Sequence, residues 1–172
     1  MSGMLLIAGL VLLVALVRSA PLPAPRWWQL GVLAALLQLP AYIANIADGL
    51  LPISYVLLCL VAWRNRSQTG GTVICAGLLL NAAPILALGD MPISPEMLAW
   101  GGQVTTPGAD LPMSKDVVID RSPWLLLGDS IPVAMLGYKA AWSIGDVLLC
   151  CGVMQYGLMV RQNVLALQSV RL

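Results

Sequence analysis

The chain has 172 residues, is 59% hydrophobic and 10% charged, and carries a net charge of +1 with a mean hydropathy of +0.87. That much apolar surface exceeds what one small aqueous core can bury, and nine scattered basic residues leave no footprint for nucleic acid. The chain has no histidine, which excludes Ser-His-Asp and Cys-His catalytic sets, helical zinc-protease motifs and imidazole ligation of haem.

In chain order, five apolar runs occupy residues 5–17, 27–47, 51–63, 72–88 and 142–160. They predict an all-α fold: a polytopic membrane helical bundle of about five transmembrane helices with one long extracytoplasmic loop. The whole chain, 1–172, is then a single integral membrane domain. Its helices are expected at about 3–18, 27–47, 50–63, 72–89 and 142–161, and its outer loop at about 90–141. The first and third runs are short against the roughly 20 residues that cross hydrocarbon, so tilt or local thinning would have to accommodate them. The first run lacks the positively charged start of a signal peptide, and Arg18 sits badly for cleavage after Ala20; it is expected to be retained.

Connections follow from their turn chemistry. Pro21, Pro23 and Pro25 prevent the first helix from continuing, and Asp48-Gly49 predicts a tight turn between the second and third. The stretch 91–141 is too long for a structureless loop. Its apolar pieces 124–127 and 131–136 predict short interfacial or re-entrant segments folded back onto the helices.

Charge patterning orients the bundle. All eight acids (Asp48, Asp90, Glu96, Asp110, Asp116, Asp120, Asp129 and Asp146) fall in or beside connections on one side. Six of the nine basic residues, Arg18, Arg26, Arg64, Arg66, Arg161 and Arg171, flank the opposite ends of the same runs. The positive-inside rule then places the arginine ends in the cytoplasm, the N-terminus outside and the C-terminus inside a bacterial plasma membrane. Trp27, Trp28 and Trp63 would mark the inner interface; Trp100, Trp124 and Trp142 would mark the outer one.

The candidate functional residues lie where polarity interrupts apolar runs. Gly-Asp pairs recur at Asp90, at Gly128-Asp129 and at Gly145-Asp146, all near the expected outer interface. Glycine permits turns and aspartate accepts bonds from exposed backbone N–H groups, so each pair reads as a cap or turn. Gathered in space, the same carboxylates would bind a cation, take up protons or receive a basic partner. Asp146 stands about one turn inside the last helix, where it would either act as an intramembrane carboxylate or pair with Lys139 or Arg121. Gln38 and Asn81 are expected to meet near the midplane, as packing amides or as the lining of a substrate path. Cys59, Cys75, Cys150 and Cys151 match no metal spacing and read as small packing residues. No cofactor is expected.

Three stretches carry a resemblance: Gly89-Asp90-Met91-Pro92-Ile93-Ser94, Leu127-Gly128-Asp129-Ser130-Ile131-Pro132, and Trp142-Ser143-Ile144-Gly145-Asp146-Val147-Leu148. They resemble a family of small bacterial membrane proteins known only as a domain of unknown function. Its members share a Met-Pro-(Ile/Val)-Ser stretch, a Gly-Asp-x-Ile-Pro element and a Ser-Ile-Gly-Asp start to the last helix. The resemblance covers nearly the whole chain and is most specific over 81–148, although Leu88-Gly89-Asp90 departs from the usual approach to Met-Pro. It implies importance for Gly128, Asp129, Pro132, Ser143, Gly145 and Asp146, and it implies no activity.

Two functions are therefore expected to compete. One is a non-catalytic accessory or structural subunit of a larger bacterial membrane complex, for example an energy-transducing one, surrounded by lipid and other integral subunits. The other is a small transporter or ion-handling protein that uses the outer aspartates. A carboxylate-based membrane enzyme is a distant third, because no substrate-pocket motif occurs.

Overall fold

The computed structural model describes residues 26–43, 49–103, 116–135 and 137–169. The expected first span and the proline-rich turn up to residue 25 lie outside these residues, as do Asp48 and Asp110.

Four long helices dominate: α1 (Trp28–Ile43), α2 (Leu50–Arg64), α3 (Gly71–Leu88) and α5 (Ile144–Ser169). They pack as a row, with α1 on α2, α2 on α3 and α3 on α5. Local chemistry sets their ends. Gly49 and Gly70 take left-handed backbone (φ 92° and 77°) just before α2 and α3, so each chain reversal is made by a residue without a Cβ penalty. Asn65 stops α2 and turns its amide back onto the Val61 carbonyl at 2.7 Å, a second donor to the oxygen that its own backbone N–H reaches at 3.1 Å.

Beyond α3 the chain builds a small mixed cap. Strand β1 (Met91–Ile93) leads into a short helix, α4 (Pro95–Trp100). Ser94 caps α4 by accepting from the Met97 N–H, and Pro95 occupies the first turn. Strand β2 (Asp116–Val118) pairs parallel with β1 in the register Met91–Asp116, Pro92–Val117, Ile93–Val118. After a 3-10 turn at Pro123–Leu126, strands β3 (Ile131–Met135) and β4 (Tyr138–Trp142) form an antiparallel hairpin that runs into α5. One core joins α2, α3 and α5 through Leu51, Tyr55, Cys75, Leu78, Ile85 and Leu149 and reaches Met91 of β1. A second core, Ile93, Leu98 and Val118, lies inside the cap.

The expected all-α bundle of about five transmembrane helices is corrected here. Among the described residues, two two-stranded sheets accompany the helices, and one helix, Gly71–Leu88, is long and apolar enough to cross a membrane. Among the described residues the other long helices carry shorter apolar stretches, Trp28–Gln38, Leu50–Arg64 and Ile144–Met159. Helix α2 has 15 residues and is bounded by Gly49 and Asn65. Within the stretch expected as a loop, Ile131–Met135 is a hairpin strand whose backbone partners β4 supplies.

Most of the described charges sort by end, with Arg121 and Lys139 as basic residues among the acids of the cap. The start of α1, the end of α2 and the start of α3 meet where Arg26 and Asn65 exchange bonds: the Arg26 N–H donates to Asn65 Oδ1 and the Asn65 amide to the Arg26 carbonyl, both at 2.8 Å. Arg64 and Arg66 stand at that end. Asp90, Glu96, Asp116, Asp120, Asp129 and Asp146 stand in the cap or at the α5 start.

Candidate functional site

The most ordered polar arrangement joins α3 to the start of α5. Ser143 is the residue before α5, and its hydroxyl accepts from the Asp146 N–H at 3.0 Å. The Asp146 carboxylate reaches back, Oδ2 accepting from the Ser143 N–H at 3.2 Å. This reciprocal pair is a capping box built with aspartate, satisfying two donors that a helix start leaves open. Asn81 of α3 then closes it from across the interface. Its amide N–H donates to Asp146 Oδ1 at 2.8 Å, and its carbonyl accepts from the Ser143 hydroxyl at 2.7 Å. Asn81 and Ser143 are 0% exposed and Asp146 is 4%.

Glycine makes this approach feasible. A Cβ on Gly145 would overlap the Asn81 side-chain oxygen, and one on Gly77 would stand 2.7 Å from the Gly145 carbonyl. One heptad away, a Cβ on Gly152 would meet Ile74 at 2.6 Å and the Gly70 carbonyl at 2.9 Å. Stepping back along α3 therefore matches stepping forward along α5, and the two helices run antiparallel with their backbones nearly touching.

The other sequence elements converge on this junction through the backbone. The Asp129 N–H donates to the Pro92 carbonyl at 2.9 Å, and Asp129 bridges Ile93 in parallel, so it extends the β1–β2 sheet on its free edge. A Cβ on Gly128 would overlap the Pro92 carbonyl, which fixes glycine there. The next residue, Ser130, donates to the Trp142 carbonyl at 3.1 Å, one residue before Ser143. The three stretches singled out in the sequence thus lie along one connected path: Met91-Pro92-Ile93, Gly128-Asp129-Ser130, Trp142-Ser143.

Several expectations about individual residues change. Gln38 and Asn81 do not pair: the Gln38 amide donates to the Ser54 hydroxyl at 3.1 Å, and Ser54 donates to the Leu51 carbonyl at 2.9 Å. Asp146 does not pair with Lys139 or Arg121, because Asn81 and the Ser143 N–H occupy its oxygens. Lys139 lies over the Trp100 ring at 5.3 Å, and Arg121 stands 3.9 Å from Asp120 with both side chains largely in the open. The expected outer aspartate cluster is not a solvent-facing patch. Asp129 is 2% exposed and Asp90 is half-buried in the bend before β1. Among the described residues no group of three His, Cys, Asp or Glu side chains could hold a metal ion. Pro132 is exposed on β3, opposite Ala141. The four cysteines are free thiols, with Cys75 in the core.

Ser54 and Pro92 are the contributors that sequence reasoning missed. Ser54 had no signal beyond one hydroxyl in an apolar run. The capping box, in contrast, was spelled out in Ser143-x-x-Asp146. Ser143 gives its proton to an amide oxygen, which is no base at neutral pH, so its hydroxyl has no activating partner.

A family model matches residues 13–157, most of the chain, and spans every element of this junction. The chain belongs to DUF5317, a family of unknown function. No curated protein and no solved structure matches it. Within DUF5317, the junction gives a physical reason for the Met-Pro, Gly-Asp and Ser-Ile-Gly-Asp stretches of this chain: they are the seam that fixes the cap onto α3 and α5.

Proposed function

We propose that this DUF5317 protein is a non-catalytic component of the bacterial plasma membrane, an accessory or structural subunit that packs against other integral membrane proteins. One observation carries the reading: the helical row buries its few polar side chains along with its core and turns large apolar side chains outward. Gln38, Ser54, Asn81, Ser143 and Asp146 are buried. The exposed positions of α2 are Ile53, Val56, Leu60 and Trp63, a stripe at helical spacing without a charge before Arg64. The exposed positions of α5 before Arg161 are Ile144, Val147, Cys151, Met154, Gln155, Gly157 and Leu158, apolar apart from one uncharged amide. A helix in water shows the reverse pattern. Apolar faces of this length call for an apolar surrounding, either lipid or the surface of another membrane protein. Here α3 is the crossing helix, with the shorter apolar helices beside it, the arginine end toward the cytoplasm and the cap outside.

Cell fractionation tests the membrane part. The protein should pellet with membranes, withstand an alkaline carbonate wash and require detergent for release; recovery in the soluble fraction overturns it. In a background without native cysteines, an impermeant thiol reagent applied to intact cells should label Gln103→Cys and spare Ser67→Cys. The subunit part predicts that one membrane protein is retained at a fixed ratio through two different mild detergents. A monodisperse monomer in both removes it. The ion-handling alternative has no such support, because Asn81 and Asp146 bond each other and Gln38 bonds Ser54.

A further inference from the structure

The interface between α2 and α3 differs from the sealed α3–α5 seam. It leaves a groove of about 270 Å³ lined by Val56, Cys59, Leu60, Trp63, Leu79 and Leu86, among others, with no polar side chain in its wall. The groove has a charged mouth. Trp63 forms part of the lining, and the Arg66 guanidinium lies over its ring at 4.2 Å, held there as Nη1 donates to the Trp63 carbonyl at 2.8 Å. Arg64, two residues before it, lies over the Trp27 ring at 5.9 Å. Among the described residues, no carboxylate lies within salt-bridge distance of these two guanidinium groups. A row of uncharged apolar side chains that ends in Trp63 with a guanidinium stacked on it complements a molecule with a long hydrocarbon tail and an anionic head.

We propose that this groove binds one anionic phospholipid, with an acyl chain along Leu60, Val56, Leu79 and Leu86 and the headgroup phosphate at Arg64 and Arg66. Arginine suits this role because its planar fork offers a phosphate two parallel donors while its other face stays stacked on an indole. Trp63 belongs at the level of the headgroup, where an amphipathic ring is at home. The selectivity is for charge: a zwitterionic lipid would fill the same apolar wall but gain little from two guanidinium groups. The proposal rests on the membrane reading above, since the lipid must come from a bilayer.

The test is native mass spectrometry of the full chain released from vesicles made of equal parts phosphatidylglycerol and phosphatidylcholine with matched acyl chains. The wild type should retain phosphatidylglycerol over phosphatidylcholine by roughly thirtyfold, the scale expected for two arginines at a membrane surface. Arg64→Gln/Arg66→Gln should bring the ratio close to one while leaving helix content unchanged by circular dichroism. Leu79→Trp, which fills the groove, should reduce retention of both lipids. Equal retention by the wild type, or a preference unchanged in the double variant, overturns the proposal and leaves the membrane reading intact. A protein that never enters the vesicles overturns both. A preference lost with the arginines but indifferent to Leu79→Trp assigns the lipid to the charged end alone and overturns the groove.

Discussion

Helix α3 has two neighbours and treats them in opposite ways. Toward α5 it presents Gly77 and Asn81, so the backbones close to the point where a single Cβ has no room, and a buried polar lock fixes the register. Toward α2 it presents Cys75, Leu79, Ala82 and Leu86, and between bulky aliphatic side chains a groove remains. Neither surface owes its form to hydropathy, since both are apolar runs of similar strength. Side-chain size decides: glycine permits contact through backbone and a short amide, whereas leucine holds helices apart and leaves gaps that leucine alone does not fill. The difference divides the labour within one helix. One face of α3 locks the register of the fold, and the other packs on α2 with a groove between bulky side chains.

The largest expected effect comes from forcing the tight side to resemble the loose one. Gly145→Ala sets a methyl group against the Asn81 oxygen and Gly77→Ala sets one against the Gly145 carbonyl, and neither obstacle can swing away. Each should lower stability by about 3 kcal/mol, and the two together should abolish the folded state, read as the loss of the thermal transition by circular dichroism in mild detergent. Leu79→Ala on the loose side should shift the same transition far less. If both sides respond equally, the contrast between them is wrong.

Next in size is the lock itself. Asn81→Leu removes the donor to Asp146 and the acceptor of the Ser143 hydroxyl, leaving two buried polar groups without their partner across the interface. The expected loss is about 2–4 kcal/mol. A double-mutant cycle with Asp146→Ala should return a coupling of about 1 kcal/mol or more; independent, additive losses would mean that the two residues act separately. Ser143→Ala should cost about 1–2 kcal/mol as a lost cap, and hydrogen exchange should quicken first in the opening turn of α5.

What could be read from the sequence divides along the same line. The long helices follow from apolar runs and glycine stops: Trp28–Ile43, Leu50–Arg64 and Gly71–Leu88 lie where the runs at about 27–47, 50–63 and 72–89 were read. The small residues Gly77, Gly145 and Gly152 also announce a close helix contact in advance. Which helix meets which is another matter: Asn81 and Asp146 are 65 residues apart, and nothing local distinguishes that pairing from one with Gln38. The cap was illegible for a related reason. Strand β1 is three residues long and pairs in parallel with β2 across more than twenty residues, so neither shows the alternation that marks a half-buried strand. The excess of apolar residues was real, but it lies on the outward faces of short helices rather than in five full spans.

The smallest effect is expected at the remaining buried amide, and it sharpens the comparison most finely. Gln38 and Ser54 bridge α1 and α2 much as Asn81 and Asp146 bridge α3 and α5, yet the two bridges are built differently. Ser54 already donates its proton to the Leu51 carbonyl within its own helix, so Gln38 contributes one amide donor to an oxygen that is otherwise satisfied. Asn81 is both donor and acceptor in a closed set. Gln38→Leu should therefore cost about 0.5 kcal/mol, the ordinary worth of an interhelical hydrogen bond in an apolar setting. Gln38→Leu combined with Ser54→Ala should be close to neutral, because no buried polar group is left behind. A loss at Gln38 as large as that at Asn81, measured by the same thermal transition, would show that hydrogen bonding rather than close packing separates the two sides of the row.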